Sequence, residues 1–201
     1  MAPTHSPPGR PRDRRTHEAI LRAAEELVRE VGYGSASISA IAARARVGKD
    51  AVYRRWSGKP ELVYEALFTT VDTGPVPDTG TLSGDVTELA RALIEEFAAP
   101  AAVAALPGLL ADFAADPVLR TRLRSGFLAP ARARMVQIFD RAAERGEIGR
   151  DVPVDLVLDT LAGAVFFHVG LACEPVTPQL AARLAGIVIT GVGRTAPRPH
   201  P

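Results

Sequence analysis

The sequence contains a single cysteine, Cys173, and only 5% of its 201 residues are aromatic. One cysteine excludes an intramolecular disulfide and a CxxC metal site. The sequence also lacks an HExxH motif, a P-loop, a nucleophile elbow and any His, Cys and acidic cluster at metal-ligand spacing. We therefore expect no catalytic residues, no metal site and no cofactor, and the sequence argues against an enzyme.

Lysine is almost absent, because 22 of the 24 basic residues are arginine and the two lysines are Lys49 and Lys59. The formal net charge is only +1, but the two parts of the chain differ. Residues 1–59 contain 12 Lys and Arg against 6 Asp and Glu, whereas residues 60–201 contain 12 Arg against 17 acidic residues. This asymmetry predicts a basic N-terminal module for a polyanion, joined to a module with another task.

Long uncharged apolar runs are missing as well. The longest apolar stretch, from Leu156 to Cys173, is interrupted by Asp159 and His168, which favours a buried helix over a membrane span. The first residues are rich in Pro and Arg and contain no apolar signal region. We expect a cytoplasmic protein with no membrane partner.

Apolar residues recur at helical spacing along most of the chain, and no segment shows the alternation of a strand. The predicted fold class is all-α, with about nine helices. Breaks are expected near Pro107-Gly108 and around Gly126 and Pro130, because glycine and proline interrupt helices. The predicted organisation is a disordered basic arm (1–12), a three-helix domain (13–58), a helical domain (59–194) and a disordered tail (195–201).

Residues 37–56 have the pattern of a helix-turn-helix, which requires two short helices, a tight turn and a polar outer face on the second helix. Ser37 is expected to cap the first of these helices. Val47-Gly48 forms the turn, and the second helix begins near Lys49. The packed side is predicted to consist of Ile38, Ile41, Ala42, Val47, Val52 and Trp56.

Two groups of polar side chains remain in this segment. The first group lies around the outer part of the second helix, where side chains can reach base edges in the major groove. Its members are Lys49, Asp50, Ala51, Tyr53, Arg54 and Arg55. The second group can bind phosphate oxygens through hydroxyl groups, a helix N-terminus or a positive charge. Its members are Ser37, Ser39, Tyr53 and Lys59. For each residue alone, a solvated surface position is the alternative.

The segment from Ile38 to Val63, ISAIAARARVGKDAVYRRWSGKPELV, resembles the DNA-binding domain of the TetR (tetracycline-repressor-like) family. The resemblance covers residues 13–71. It implies a homodimeric repressor of double-stranded DNA whose C-terminal helical domain binds a small effector. It also implies that the following positions face DNA: Ser37, Ser39, Lys49, Asp50, Ala51, Tyr53, Arg54 and Lys59.

Three residues depart from the family pattern. Arg46 stands where the turn usually has glycine, so either Arg46 is left-handed or the turn differs, and its charge could add a phosphate contact. Gly48 stands where Ser or Thr usually caps the third helix, which predicts a weaker cap. Ala40 replaces an acidic residue, so no capping box forms with Ser37.

The last two predicted helices, from Pro153 to Cys173 and from Pro178 to Gly191, are the candidates for dimerisation. Two such helices from each subunit can form a four-helix interface, and the alternative is that both are core helices of a monomer. The predicted interface residues are Leu161, Val165, His168, Leu184, Ile187 and Val188.

The second domain also contains candidates for an effector pocket, expected to take a small apolar or amphipathic molecule. They are Phe97, Phe113, Phe127, Met135, Phe139 and Phe167. Each is either pocket lining or ordinary core. Three segments are similar in placement to an actinobacterial-type C-terminal subgroup of the family, namely LPGLL from Leu106, DPVL from Asp116 and RGEI from Arg145.

The rival functions are a helical carrier or enzyme, and an architectural DNA-binding protein without an effector. The basic arm is either a solubilising tail or a contact to phosphate or the minor groove.

Overall fold

A computed structural model describes residues 10–69 and 74–193, with the side chains of 13–69 and 74–191. Along these residues the chain forms nine helices and no strand, when α-helical and π-helical segments that follow without a break are counted as one helix. The first four helices are α1 (Arg10–Ser35), α2 (Ile38–Arg44), α3 (Lys49–Tyr53) and α4 (Lys59–Leu67). Because α1 begins at Arg10, it includes the end of the predicted arm, while residues 1–9 and the predicted tail lie outside the described residues.

Five further helices follow. They are α5 (Leu82–Ala98), α6 (Pro100–Ala115), α7 (Pro117–Leu123, Arg124–Leu128 and Ala129–Glu144), α8 (Val154–Val165 and Phe166–Leu171) and α9 (Leu180–Gly193). The segments Arg124–Leu128 and Phe166–Leu171 are π-helical. The all-α prediction is confirmed.

Proline and glycine do not interrupt the helices of the second domain where the sequence predicts. α6 continues through Pro107-Gly108, because the buried Leu106 and Leu109 hold both sides of this point in the core. α7 continues through Gly126 and Pro130 and widens into its π-helical segment instead. The predicted break at Pro107-Gly108 was wrong, since tertiary packing outweighs the local cost of a missing hydrogen bond. Around Gly126 the chain stays helical, but the α-helical hydrogen bonding is interrupted by the π-helical segment.

Gly32 is non-helical within α1, with φ 76° and ψ 164°. A positive φ is easily adopted only by glycine, so Gly32 allows the chain to change direction here. The chain continues for one more turn to Ser35 before α2 begins.

The buried residues form two clusters. The first joins α1, α2, α3 and α4 to α6, and its fully buried members include Ile20, Trp56, Leu62 and Leu109. The second joins α5, the end of α7, α8 and α9 around residues such as Ile138 and Leu161. Although α4 and α6 belong by sequence to the predicted domain 59–194, both contribute to the core of the N-terminal module. The two modules are therefore connected by shared core packing.

Helix α8 is only partly buried, which corrects the expectation of a buried helix. Residues Val154–Leu171 have a mean hydropathy of 1.6, but only 22% of them are buried. By length and composition alone this helix could cross a membrane, and so could α5 and α6 together, which meet at 80°. Asp155 and Asp159 lie on the exposed side of α8.

Candidate nucleic-acid interface and ligand chamber

The inner side of the helix-turn-helix is packed as predicted. Ile38, Ile41, Ala42, Val52 and Trp56 are buried, and Val47 is half-buried against the same core. The small Ala42 lies where α2 and α3 approach each other. This packing sets the position of α3 and leaves its other side toward solvent.

The turn between α2 and α3 is built around Arg46. Its φ of 56° confirms the left-handed alternative predicted from the missing glycine. The N–H groups of Arg46 and Val47 donate to the carbonyl oxygens of Ala43 and Ala42, at 3.1 and 2.9 Å. Such bonds close a helix C-terminus when the following residue is left-handed. The exposed Arg46 side chain leaves the turn on the solvent side.

The candidate base-contacting residues lie on one exposed surface. Lys49, Asp50 and Arg54 are exposed, Tyr53 is 56% exposed and Ala51 is half-buried beside them. Arg55, by contrast, points back toward the module. It donates to the carbonyl oxygen of Ala51 at 2.6 Å and forms an ion pair with Asp13.

The candidate phosphate-contacting residues differ from one another in exposure and in hydrogen-bond partners. Ser37 caps α2 as predicted, accepting a hydrogen bond from the Ala40 N–H at 3.2 Å, and Ser39 is exposed. Lys59 is half-buried, because its Nζ donates to the Tyr33 carbonyl oxygen at 3.0 Å and lies 4.1 Å from the Tyr33 ring centroid. An ammonium group has three N–H donors, so this contact positions Lys59 and leaves donors for a phosphate.

Gly48 is the N-cap of α3 and provides no side-chain hydrogen bond. Its φ of −73° and ψ of 151° suit any residue, and a Cβ at this position would meet no atom within 4 Å. Gly48→Ser is therefore expected to stabilise the protein by a few tenths of a kcal/mol, about 0.3. Denaturant unfolding of the two proteins measures the change, with Gly48→Ala as the control that has no hydroxyl. If Ser and Ala behave alike, the hydroxyl does not cap α3.

Three contacts in the N-terminal module could not be identified from sequence. Glu65 on α4 accepts from Trp56 Nε1 at 2.6 Å and pairs with His17 Nε2 at 2.9 Å, and the His17 ring stacks on Trp56 at 5.0 Å. The contacts among Glu65, Trp56 and His17 connect α1 and the end of the helix-turn-helix to α4. The three residues are far apart in sequence, and no spacing rule relates them.

Tyr33 connects the N-terminal module to α6. Its hydroxyl donates to Asp112, and burial together with this carboxylate raises the pKa of Tyr33 above its ordinary value. Gly108, one turn earlier on α6, lies against the Tyr33 ring, so that a Cβ there would be 2.3 Å from Cδ1. The same Tyr33 holds Lys59 through its carbonyl and its ring. Tyr33 therefore connects α6 directly to Lys59, which is a candidate DNA contact.

A mostly apolar cavity of about 630 Å³, which we term the chamber, lies between α4, α5, α6, α7 and α8. Of the predicted pocket residues, Phe97, Phe113 and Met135 line it. Phe166 also lines it, and so do Tyr64 and Phe68, two aromatic residues that the sequence did not single out. These residues become neighbours only because α4 and α6 pack together.

The other three pocket candidates lie elsewhere, which corrects the prediction. Phe139 is buried in the second core cluster, and Phe167 is 61% exposed on the outside of α8. Phe127 does not line the chamber, although its ring centroid lies 5.2 Å from that of Tyr64. Helical spacing alone could not separate residues that face a cavity from those that face the core next to it.

The predicted dimer residues also divide. Leu161, Val165 and Val188 are buried in the core of their own subunit, so they cannot form the outer face. His168 and Leu184 are half-buried, and Ile187 is 68% exposed. The exposed apolar and glycine residues that we term the outer stripe of α8 and α9 are instead Leu156, Phe167, Leu171, Gly186 and Ile187. Apolar residues lie on the exposed side of these helices as well as on the buried side, so the sequence did not distinguish the two sides.

Comparisons with known proteins agree with this geometry. A family model described as bacterial regulatory proteins, tetR family, matches residues 20–66, and a model described as tetracyclin repressor-like, C-terminal domain, matches residues 76–188. The HTH-type transcriptional regulator YdeS of Bacillus subtilis is 30% identical over 193 residues, covering 94% of this chain and 95% of the relative.

Two further similarities cover most of the chain. The DNA-binding transcriptional repressor TetR of Mycobacteroides abscessus is 30% identical over 152 residues, which is 75% of this chain and 79% of the relative. The crystal structure of the TetR family transcription regulator SCO0332 superposes with a TM-score of 0.70 at 28% identity, covering 88% of this chain and 98% of the other. The similarity extends through the chamber and the outer stripe.

Proposed function

Because the chain belongs to the TetR family of helix-turn-helix transcriptional regulators, we propose that it is a homodimeric repressor that binds an inverted-repeat operator. A small apolar or amphipathic effector in the chamber releases it from DNA. Since its partner is chromosomal DNA, the protein acts in the cytoplasm. The observation that carries this proposal is the exposed surface of α3, where Lys49, Asp50, Tyr53 and Arg54 share one side of a helix whose other side is fixed by Val52.

The outer stripe supports a dimer as the form that binds DNA. Its apolar side chains are exposed in a single subunit, and apolar patches of this kind usually mark an interface. Packing α8 and α9 against the same helices of a second copy would cover the stripe by an isologous contact. Such a dimer presents two copies of α3, which reach successive major grooves when their separation is about 34 Å.

The chamber supports ligand control rather than an architectural role in DNA binding. Its volume of about 630 Å³ lies within the range of small-molecule sites. One side of α6 lines the chamber through Leu109 and Phe113, while Gly108 and Asp112 contact Tyr33. An effector that favours another position of α6 would shift the two copies of α3 in the dimer. The coupling free energy between effector binding and DNA binding would be about 1–3 kcal/mol.

The test measures binding to the DNA upstream of the gene by fluorescence anisotropy, over a range of salt concentrations. Tyr53→Phe removes a phosphate contact and is expected to weaken binding to all sequences similarly. Lys49→Ala is expected to change the preference among operator variants, with a loss of about 1–3 kcal/mol at the base pairs that Lys49 contacts. Arg150→Gln, in the connection between α7 and α8, is the charge-matched control and should bind as the wild type does.

Two results would contradict the proposal. If Lys49→Ala weakens binding equally on every sequence, Lys49 contacts phosphate and not bases. If the wild-type protein fails to bind the upstream DNA even at low salt, a carrier function is favoured over a regulator.

A further inference from the structure

We propose that the effector is an amphipathic anion, with its apolar body in the chamber and its carboxylate or phosphate group on Arg120 and Arg124. This inference rests on the chamber being the effector site of the proposed function. A second cavity of about 870 Å³, which we term the arginine groove, adjoins the chamber and is lined by both arginines. The two cavities share lining residues, including Leu110, Leu123 and Leu128, so one ligand can occupy both.

The positive charges of the groove are only partly compensated. Arg132, which lines both cavities, is paired with Asp159 and lies 3.7 Å from Asp155. Arg120 has neutral partners, because its Nη1 donates to the carbonyl oxygens of Phe113 and Ala114 at 2.8 and 2.7 Å. These bonds hold the guanidinium at the end of α6, beside the chamber.

Arg124 is exposed and forms no ion pair in the described part of the chain, while Asp155, which lines the same groove, lies 3.7 Å from Arg132. Together, Arg120 and Arg124 therefore present two uncompensated positive charges next to an apolar space. A guanidinium binds carboxylate and phosphate oxygens through paired hydrogen bonds. This combination fits a molecule that has an apolar end and an anionic end.

Both π-helical segments border this composite site. Leu128, at the end of the segment Arg124–Leu128, lines the chamber and the groove. Phe166, at the start of the segment Phe166–Leu171, lines the chamber from α8. π-Helical turns occur frequently at functional sites because they reposition the side chains around them. Their coincidence here supports a built binding site over a packing defect.

Of the carboxylates that line the two cavities, Asp155 and Asp159 are paired with Arg132, and Glu96 lies away from the groove. Glu96 is buried at the wall that separates the chamber from a cavity lined by Glu25, Glu88 and Glu95. That cavity shares no lining residue with the arginine groove. An anionic group is therefore expected at the groove end, and a cationic amphipath is the competing outcome that the test must include.

The test compares ligands with the same chain and different end groups by isothermal titration calorimetry on the full-length protein. The probes are dodecanoate, 1-dodecanol, dodecyltrimethylammonium and dodecanoyl-coenzyme A, each below the concentration at which it forms micelles. Dodecanoate or its coenzyme A thioester should bind about tenfold or more tightly than the alcohol. Tighter binding of the thioester would identify phosphates as the anionic group, and tighter binding of dodecanoate would identify a carboxylate.

Variants then locate the anionic end. The double change Arg120→Gln and Arg124→Gln should reduce the preference for the anion over the alcohol to about one, without loss of alcohol binding. Arg122→Gln is the matched control, because Arg122 lies between them in sequence but lines neither cavity and is 4.0 Å from Glu61. It should retain the preference.

Equal binding of alcohol and anion, tighter binding of the cation, or no binding of any probe would overturn the proposal. So would an unchanged preference in the double variant. Operator affinity of the same preparations, measured without probe, separates this result from the proposed function. Operator binding with no anion preference overturns only the ligand assignment, whereas absence of operator binding overturns the regulator itself.

Discussion

Ile187→Asp is expected to convert the proposed dimer into monomers and to lower operator affinity by at least about a hundredfold, since an unpaired carboxylate buried in an interface costs about 3–5 kcal/mol. Ile187 is the most exposed apolar side chain of the outer stripe, at 68%. In a two-fold interface the substitution occurs on both sides of the contact. A monomer has one copy of α3 and can contact only one half of an inverted repeat.

The control for this change is Val118→Asp on α7. Val118 is also highly exposed, at 64%, but does not belong to the outer stripe. Light scattering after size-exclusion chromatography gives the mass, circular dichroism verifies the fold, and anisotropy gives operator affinity. If Ile187→Asp remains a folded dimer with normal affinity while Val118→Asp dissociates, the subunits meet on a different face.

Gly108→Ala is expected to destabilise the protein by about 1–3 kcal/mol, the usual cost of overpacking. Its Cβ would be 2.3 Å from Tyr33 Cδ1, and the neighbouring ring carbons lie within 3.2 Å. Tyr33 cannot move easily, because its hydroxyl is bonded to Asp112 and its carbonyl to Lys59. Either the ring or α6 must shift, and the position of Lys59 shifts with the ring.

Gly126→Ala provides the matched control. A Cβ at Gly126 meets no atom within 4 Å, and the residue is also in a helix. This substitution should be neutral or stabilise the protein by up to about 1 kcal/mol, because alanine favours helix over glycine. Urea unfolding measures both variants. If both glycines tolerate alanine equally, the close packing of α6 on Tyr33 does not exist in solution.

The two changes also differ in their expected effect on DNA. Gly108→Ala should weaken operator binding where the protein is still folded, since Lys59 is held by Tyr33. Gly126→Ala should leave it unchanged. The comparison tests whether the contact between α6 and Tyr33 matters for the DNA-binding surface as well as for stability.

Local residues were enough to predict the helix-turn-helix. The contacts among Ile41, Ala42, Val52 and Trp56 span few residues, and helical periodicity alone places these side chains on one side. The left-handed Arg46 was one of two alternatives left open by the resemblance, because the family usually has glycine at this position of the turn. Family resemblance then assigned DNA binding to the exposed side.

The second module was predictable in its class but not in its surfaces. Helices α8 and α9 are apolar on two faces, so periodicity could not decide whether Val165 or Phe167 faced the core. Likewise Phe97 and Phe139 have the same chemistry, and only the packing of neighbouring helices places one in the chamber wall and the other in the core.

By itself, then, the sequence determined the helical class, the helix-turn-helix and the polar residues exposed on the outer side of α3, because those features depend on neighbours within a few turns. The tertiary structure alone decided the chamber, the outer stripe and the link from α6 through Tyr33 to Lys59. Tyr33 and Asp112 are 79 residues apart in the chain. Contacts at such a separation depend on how whole helices pack, and no local pattern specifies them.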